Sequence, residues 1–220
     1  MKTIELFSGT CSFSNVASRR GYDIFTVDND PQHDTHICGD IREIDPNLLP
    51  SAPEFLWASP PCQGFSVAVI GRNWHKNYTP KTDTARLAVE LVEETLHRIE
   101  AIAPKWWFIE NPRGMLRKLP IMEHLPFRHT VTYCQYGDTR QKPTDVWTNA
   151  HWWHPRAACG RGAPCHEAAP RGSRTGTQGI KGAKNRSRIP THLFEEIFNQ
   201  YDEYKRSKLI TSQSTLLAAE

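Results

Sequence analysis

The sequence of 220 residues predicts an α/β fold in which a mostly parallel sheet carries helices on both faces. Five short runs have near-continuous apolar residues, which is typical of strands buried on both faces. They are Thr3–Phe7, Asp23–Val27, Glu54–Ala58, Trp106–Glu110 and His129–Tyr133. A strong helical pattern separates the third run from the fourth. Strands that alternate with helical connections indicate a parallel sheet.

Two helices are predicted in more detail. Over Asp83–Ala103 the apolar residues recur on one helical face, and Thr82 or Thr84 is placed to cap its start. A last helix opens at Ile189-Pro190, because proline suits the first turn of a helix. Its apolar stripe consists of Leu193, Phe194, Ile197, Phe198 and Tyr201. We expect the tail after about Lys205 to be frayed.

The composition indicates a soluble globular protein, with 38% hydrophobic and 23% charged residues. No apolar run is long enough to span a bilayer, so a membrane protein is excluded. An acidic residue, Glu5, lies near the start of the sequence, which argues against a signal peptide. The six cysteines are mostly scattered, which favours reduced thiols over a disulfide framework.

Basic residues are concentrated late in the chain. The net charge is only +3, yet residues 150–190 hold eight arginines and lysines against one acid, Glu167. This asymmetry is typical of a surface that binds a polyanion, and a solvated basic loop explains it equally well. Residues 151–188 are rich in Gly, Pro and Arg without a clear period, so we predict a loop-rich insertion.

The first two strands end in residues suited to a nucleoside-containing ligand. The small residues of Phe7-Ser8-Gly9-Thr10 let the backbone approach a ligand closely, although most such turns merely connect elements. An acid at the end of the second strand, here Asp28, commonly takes ribose hydroxyls, and a helix cap is an equal alternative. Asp40 in Gly39-Asp40-Ile41 is equally explained by a structural turn.

The third and fourth strands end in residues suited to catalysis. Cys62 follows a double proline, which presents its thiol at the tip of a turn, whereas a lone cysteine is usually a small core residue. Glu110 leaves an apolar strand beside Asn111 and Arg113. A carboxyl group against apolar walls holds a raised pKa and can donate a proton. The alternative for Glu110 is an ion pair with Arg113.

Taken together, Phe7-Ser8-Gly9, Pro60-Pro61-Cys62-Gln63 and Glu110-Asn111-Pro112 resemble the cytosine-5 DNA methyltransferase family, over roughly residues 3–147. The resemblance implies a Rossmann-like S-adenosylmethionine-dependent methyltransferase fold and methylation of carbon 5 of cytosine in DNA. The cofactor would be S-adenosyl-L-methionine, and the cytosine would be flipped out or single-stranded. The same chemistry on RNA or a cytidine nucleotide, or an inactive nucleic-acid-binding module, are the alternatives.

The resemblance also implies roles for individual residues. Cys62 would be the nucleophile and Glu110 the acid, with Arg140 or Lys142 in place of a guanidinium that the family directs at the base. The cofactor would be held by Phe7, Ser8, Gly9, Thr10, Asp28, Asn29, Asp40, Ile41 and Pro60. The substrate would be held by Gln63, Ser66, Asn111, Pro112, Arg113, Arg171 and Arg174. Residues 63–81 would form a mobile loop over the substrate.

The chain departs from the family in three places. Cys11 and Ser12 stand where glycines are usual, the family's arginine is either replaced by Lys142 or moved to Arg140, and the target-recognition region is very short. We predict a catalytic core over 1–147, a basic insertion over 148–188 and a helix with tail over 189–220. This indicates a minimal, phage-type member, a monomer in the cytoplasm of a prokaryotic or phage-infected cell, serving restriction-modification or phage DNA modification.

The insertion also contains residue types that bind zinc. Cys159, Cys165 and His166, with His151 and His154 nearby, could supply a tetrahedral site. The spacing matches no standard zinc finger, since five residues separate the two cysteines. A loop with unpaired thiols is favoured, so the sequence predicts no metal.

Overall fold

The computed structural model describes residues 1–160, 162–167 and 183–217. Its strands are β1 (Lys2–Leu6), β2 (Asp23–Asp28), β3 (Ile37–Cys38), β4 (Phe55–Ala58), β5 (Trp106–Pro112), β6 (Phe127–Thr132) and β7 (Pro143–Thr148). Its helices are α1 (Ser12–Arg19), α2 (Ile70–Asn73), α3 (Asp83–Ile102), α4 (Ala183–Ser187) and α5 (Thr191–Leu217). Within this part of the chain, no helix is both long and apolar enough to cross a membrane.

The strands form one sheet in the order β3-β2-β1-β4-β5-β7-β6. The first five strands pair in parallel, and β7 lies antiparallel between β5 and β6. The connection from β6 to β7 is too short for a parallel crossover, so the two strands pair antiparallel. The predicted mostly parallel α/β sheet is confirmed. The strands β3 and β7 are not among the predicted runs, because one has two residues and the other begins with a proline.

Helices cover both faces of the sheet, as predicted. Alternate residues of β4 show this: Phe55 and Trp57 pack with α1 and α5, whereas Leu56 and Ala58 pack with α3. A strand directs successive side chains to opposite faces, so a run of consecutive buried residues requires a layer on each side.

The helix boundaries follow local signals, with one correction. Thr82 caps α3, because its hydroxyl accepts a hydrogen bond from Ala85 N at 3.3 Å, and Ala103 ends the helix in a left-handed conformation. The predicted stripe of α5 is buried. The predicted fraying after Lys205 is wrong, since α5 continues to Leu217. The residues after Lys205 include neither glycine nor proline, so nothing in this stretch ends the helix.

The first residues after β7 pack against the core. Trp152 and Trp153 are buried, and the ring of Trp152 lies 5.1 Å from that of Tyr201 on α5. The segment leaving the sheet is therefore held by aromatic contacts with the last helix. Arg171 and Arg174 lie outside the described residues.

Candidate active site

The turn after β1 has an unusual backbone that Asp28 holds in place. Phe7, Gly9 and Cys11 all have positive φ, at 56°, 47° and 51°. Cys11 thus adopts a conformation that favours glycine, at a position where the sequence departs from the resembled pattern. The Gly9 amide donates a 2.7 Å hydrogen bond to Oδ2 of Asp28. Asp28 at the end of β2 therefore helps to fix the backbone conformation of the turn after β1.

The helix that follows this turn begins on a buried acid. Glu5 on β1 accepts hydrogen bonds from the amides of Phe13, at 3.2 Å, and Ser14, at 2.8 Å. These amides belong to the first turn of α1, where backbone donors have no partner within the helix. Burial raises the pKa of Glu5 to about 7. Sequence reasoning missed this residue because it lies within a run that otherwise predicts an apolar strand.

A pocket opens at the carboxyl ends of β1 and β2, beside the point where the strand order reverses between β1 and β4. Among the predicted cofactor residues, its lining includes Phe7, Asp28, Asn29, Asp40 and Ile41. Pro61, Leu87 and Leu91 add apolar walls. Ser8, Gly9, Thr10 and Pro60 are not part of this lining, although they belong to the adjoining turns.

The two acids of this pocket have different hydrogen-bond partners. The carboxylate of Asp40 is held by Arg42, at 3.0 Å from Nε, and this hydrogen bonding lowers the Asp40 pKa. Asp28 accepts from Gly9 N on Oδ2, and from Asp30 N and His33 Nδ1 on Oδ1. Since a carboxylate has about four acceptor positions, Asp28 keeps one for a ligand.

A second cavity lies at the opposite end of the strands. It has a volume of about 270 Å³ and is lined by Lys2, Asp23, Phe25 and neighbouring residues. It is larger than the first pocket, yet it opens at the amino ends of β1 and β2. Ligands of doubly wound sheets bind at the carboxyl ends, so the first pocket is the candidate ligand site.

One hydrogen bond ties the ends of β4 and β5 together. Asn111 Nδ2 donates to the Pro60 carbonyl at 2.9 Å, and Asn111 is fully buried. The turn is closed further by the amides of Phe65 and Ser66, which both donate to the Cys62 carbonyl at 3.0 Å. The segment that presents the thiol is thus fastened to the strand that presents Glu110.

Glu110 is a buried acid that is paired with a tyrosine. Only 5% of the residue is exposed, and Oε1 accepts a hydrogen bond from the Tyr133 hydroxyl at 2.9 Å. Burial raises the Glu110 pKa, against the opposing effects of Lys142 and Tyr133. No ion pair joins Glu110 to Arg113 within the described residues, and the Arg113 side chain is exposed. The arrangement favours the protonated acid.

The Cys62 thiol lies in the electrostatic field of the same groups. Burial raises the Cys62 pKa most, and the charge of Glu110 raises it further. The cations Lys142 and Arg186 act in the opposite direction and favour the thiolate. The thiol, the acid and Lys142 therefore share one site, with the cation positioned to influence both acidic groups.

The structure separates the two basic residues proposed for this site. Arg140 binds both oxygens of Asp138, and its remaining donors contact the carbonyls of residues 185, 186 and 188. It thereby fastens α4 to the β6–β7 connection. Lys142 Nζ donates to the Arg186 carbonyl at 3.1 Å and lies 4.6 Å from the centre of the Tyr133 ring. Burial lowers the Lys142 pKa, and Glu110 and Cys62 partly restore it.

Two glycines pack the strand-end turns closely. A methyl group on Gly64 would lie 2.4 Å from Ala88 Cβ, and one on Gly114 would lie 2.3 Å from the Phe65 carbonyl oxygen. Trp74, in the segment predicted to be a mobile loop, is buried and donates through Nε1 to the Gly64 carbonyl at 2.7 Å. The tryptophan is a packing residue here and Asn73 is also buried, whereas Arg72, His75 and Lys76 on that loop are exposed.

The predicted substrate residues differ in accessibility. Gln63 and Arg113 are exposed, and Ser66 and Pro112 are half-buried. Asn111 is buried, but its Oδ1 has no hydrogen-bond partner among the described residues. An unpaired buried carbonyl oxygen is costly unless a ligand or water completes it. The three candidate zinc ligands Cys159, Cys165 and His166 lie together, and Cys134 joins them.

Comparison with known proteins identifies the family of this chain. A family model described as "C-5 cytosine-specific DNA methylase" matches residues 1–120. A protein of Frog virus 3 (isolate Goorha), named "Probable DNA (cytosine-5)-methyltransferase", is 30% identical over 217 residues. The alignment covers 90% of this chain and 99% of the viral protein.

Solved structures show weaker likeness. A putative DNA modification methyltransferase of an Escherichia coli prophage has 18% identity and a TM-score of 0.48, with 67% of this chain covered. The methyltransferase EhMeth of Entamoeba histolytica has 12% identity and a TM-score of 0.46, also with 67% covered. The chain spans about half the length of these proteins, at 46% and 52%.

Proposed function

Because this chain belongs to the C-5 cytosine-specific DNA methylase family, we propose that it methylates carbon 5 of cytosine in DNA through a covalent adduct of Cys62. The observation that carries this proposal is the common site of Cys62 and Glu110. They stand on adjacent strand ends joined by the Asn111–Pro60 hydrogen bond, and both are in the field of Lys142.

The chemistry requires a thiolate and an acid facing one base. Carbon 5 of cytosine is a poor nucleophile until the Cys62 thiolate adds to carbon 6, which forms the carbon–sulfur bond and makes the ring an enamine. Protonation of ring nitrogen 3 by Glu110 relieves the charge that this addition creates. After methylation, solvent water takes the proton from carbon 5. The carbon 5–carbon 6 double bond re-forms as the carbon–sulfur bond breaks and the Cys62 thiolate leaves, and nitrogen 3 returns its proton to Glu110.

Lys142 is placed to supply the third group of the site, the cation that faces the base. Its ammonium lowers the pKa of the thiol that must ionise, and it lies beside the Tyr133 ring that backs Glu110. We propose that Lys142 faces the base, whereas Arg140 positions α4. The engagement of the Arg140 donors by Asp138 and by carbonyls supports the lysine over the arginine for this role.

The pocket beside this site suits S-adenosyl-L-methionine. Phe7, Asp28, Asn29, Asp40 and Ile41 would hold it, with the free acceptor position of Asp28 and the side chain of Asn29 toward the ribose. When bound, the cofactor supplies the electrophilic sulfonium methyl group. The positive-φ turn at Phe7 and Gly9 brings the backbone close to this pocket, which is the fit expected for a nucleoside ligand.

We further propose that the basic segment within residues 148–188 holds the nucleic-acid strand, with Arg171 and Arg174 on the phosphates. The cytosine must be flipped out or unpaired to reach a site this deep at the strand ends. A double alanine variant of these arginines that binds DNA with unchanged salt dependence would contradict this role. The monomeric state and the prokaryotic or phage-infected cytoplasm stay predictions.

Transfer of a labelled methyl group distinguishes the candidate substrates. The purified protein is incubated with labelled S-adenosyl-L-methionine and, in parallel, with duplex DNA, single-stranded DNA, RNA or dCMP. Incorporation into DNA that digestion identifies as 5-methylcytosine supports the proposal. Labelling of RNA or dCMP alone would indicate that the protein performs the same reaction on that acceptor instead of on DNA. Absence of labelling with every acceptor, by folded protein, would contradict catalysis.

A further inference from the structure

Four side chains that the proposed reaction does not use lie close together, next to the part of the proposed catalytic site that contains Tyr133 and Lys142. Cys134 is buried in a short 3-10 helix, Tyr133–Tyr136, that follows β6. Cys159, Cys165 and His166 come from the chain after β7. The four potential ligand atoms, three sulfurs and one ring nitrogen, all lie within 4.8 Å of one another.

Most of the separations are close to those of ligands around one tetrahedral ion, and the separation between the Cys134 and Cys159 sulfurs is shorter. Zinc–sulfur bonds of about 2.3 Å and zinc–nitrogen bonds of about 2.0 Å place two sulfurs about 3.8 Å apart, and sulfur and nitrogen about 3.5 Å apart. The Sγ atoms of Cys134 and Cys165 are 3.6 Å apart, and those of Cys134 and Cys159 are 3.2 Å apart. His166 Nδ1 lies 3.6 Å from the sulfurs of both Cys159 and Cys165.

We propose that Cys134, Cys159, Cys165 and His166 bind one zinc ion in a closed Cys3His site. Thiolates with one imidazole select zinc over harder cations such as magnesium and calcium. Four protein ligands fill a tetrahedral shell, so the ion has no open position for a substrate or a water nucleophile. The site is therefore structural and separate from the methyl-transfer chemistry.

Hydrogen bonds around the cluster suit metal-bound thiolates. Gln141 Nε2 donates to the Cys159 sulfur, and Gln135 Nε2 donates to the Cys165 sulfur, each at 3.3 Å. Residues that orient the metal ligands in this way are a regular part of metal sites. All six cysteines of the chain are free, so no disulfide uses these sulfurs.

A zinc ion here would link the short segment after β7 to the residues next to Tyr133 and Lys142 in the proposed catalytic site. Cys134 directly follows Tyr133, the partner of Glu110, and Gln141 directly precedes Lys142. The two sides already meet where the Cys159 amide donates to the Thr132 hydroxyl at 3.0 Å.

The proposal departs from the sequence-based prediction of no metal. That prediction rests only on the cysteines and histidines of the insertion, whose spacing matches no standard zinc finger because five residues separate Cys159 from Cys165. Cys134 lies 25 residues before Cys159 in the chain, and the antiparallel turn between β6 and β7 brings it to the cluster. The spacing along the chain does not indicate this contact.

The first experiment measures metal in the wild-type protein, purified without an affinity metal and under reducing conditions. We expect about one zinc per chain by mass spectrometry of the metal content. Replacement by cobalt should give the intense visible absorption of tetrahedral thiolate coordination. These two readouts depend on neither activity nor a variant that must fold.

Variants then assign the ligands. Cys165→Ser and His166→Ala should each reduce bound zinc at least about tenfold after dialysis against a mild chelator. Cys38→Ser, at an exposed cysteine outside the cluster, is the matched control and should retain the wild-type content. A strong chelator should lower the thermal unfolding midpoint of the wild type and the control, and leave that of Cys165→Ser unchanged.

Two results would overturn the proposal. One is a wild-type protein that carries no zinc and gives no tetrahedral cobalt spectrum. The other is a disulfide between Cys134 and Cys159 in the freshly isolated protein, detected as a pair of sulfurs that resist alkylation until they are reduced. Methyl transfer is measured separately, so either result leaves the proposed function to stand or fall on its own assay.

Discussion

The hydroxyl of Tyr133 donates a 2.9 Å hydrogen bond to Oε1 of Glu110, which fixes the carboxyl group of the candidate acid. Ser59, from the turn that leads to Cys62, opposes the rise in the pKa of this carboxyl group. The position of the acid therefore depends on the hydrogen bond from the residue that follows β6. Because the carboxyl group is held in one orientation, it needs little reorganisation before it transfers a proton to a base.

Replacing Glu110 by Gln should remove the proton donor and retain the shape. We expect the methyl-transfer rate to fall by about 10²–10⁴-fold, as for a lost general acid. Binding of S-adenosyl-L-methionine, measured by calorimetry, should change little because the pocket residues are elsewhere. A Glu110→Gln variant with normal specific activity would show that Glu110 serves only the fold.

Replacing Lys142 by Met should make Cys62 less reactive. Lys142 lowers the pKa of this thiol, so its loss raises that pKa and the thiolate then forms only at higher pH. We expect alkylation of Cys62 near pH 8, followed by peptide mass spectrometry, to slow roughly three- to tenfold. Lys142→Arg keeps the charge and should retain most of the reactivity. Equal alkylation rates in all three proteins would remove Lys142 from this role.

Replacing Gly114 by Ala should destabilise the joint between the two catalytic turns. The added methyl group would lie 2.3 Å from the backbone oxygen of Phe65, which cannot move without disturbing the turn after Cys62. We expect a loss of about 1–3 kcal/mol in the free energy of unfolding by urea. Gly71→Ala is the control, since nothing lies within 4 Å of its added methyl group. Equal stability of the two variants would contradict the close packing.

The pH dependence of stability should report the buried Glu5. Its pKa is raised from 4.5 to about 7, so the fold favours the protonated form. The free energy of unfolding should therefore fall as the pH rises from about 5 to about 7, by up to about 3 kcal/mol from this group. The Glu5→Gln variant should lose this pH-dependent part of the free energy of unfolding. The pH-dependent contribution of Glu110 should be present in both the wild type and the variant. Parallel curves for the two proteins would contradict the raised pKa.

The sequence predicts the parts of the site that stand at the ends of strands. Phe7, Asp28, Cys62 and Glu110 follow apolar runs, and parallel strands bring their carboxyl ends to one edge of the sheet. The order of the apolar runs is therefore enough to identify residues that share this edge. The mostly parallel sheet follows from the same runs and from the long helix Asp83–Ile102.

The sequence does not predict contacts made across the antiparallel part of the sheet. Its pattern indicates Tyr133 only as the last residue of a strand, and the partner Glu110 is 23 residues away. The roles of Arg140 and Lys142 cannot be separated by sequence, because both occur in one short turn and differ only in what they contact. Cys134 is missed for the same reason. Pairing partners of such connections depend on register, which spacing along the chain does not encode.

Covalent trapping at Cys62 tests the central claim most directly. In DNA that contains 5-fluorocytosine, no proton can leave carbon 5 after methylation, so the bond between sulfur and carbon 6 persists. With S-adenosyl-L-methionine present, the wild type and the control Cys38→Ser should form a complex that survives denaturing electrophoresis, and peptide mapping should place the adduct on Cys62. Cys62→Ser should bind DNA but form no adduct. A trapped complex formed equally by Cys62→Ser would contradict the account.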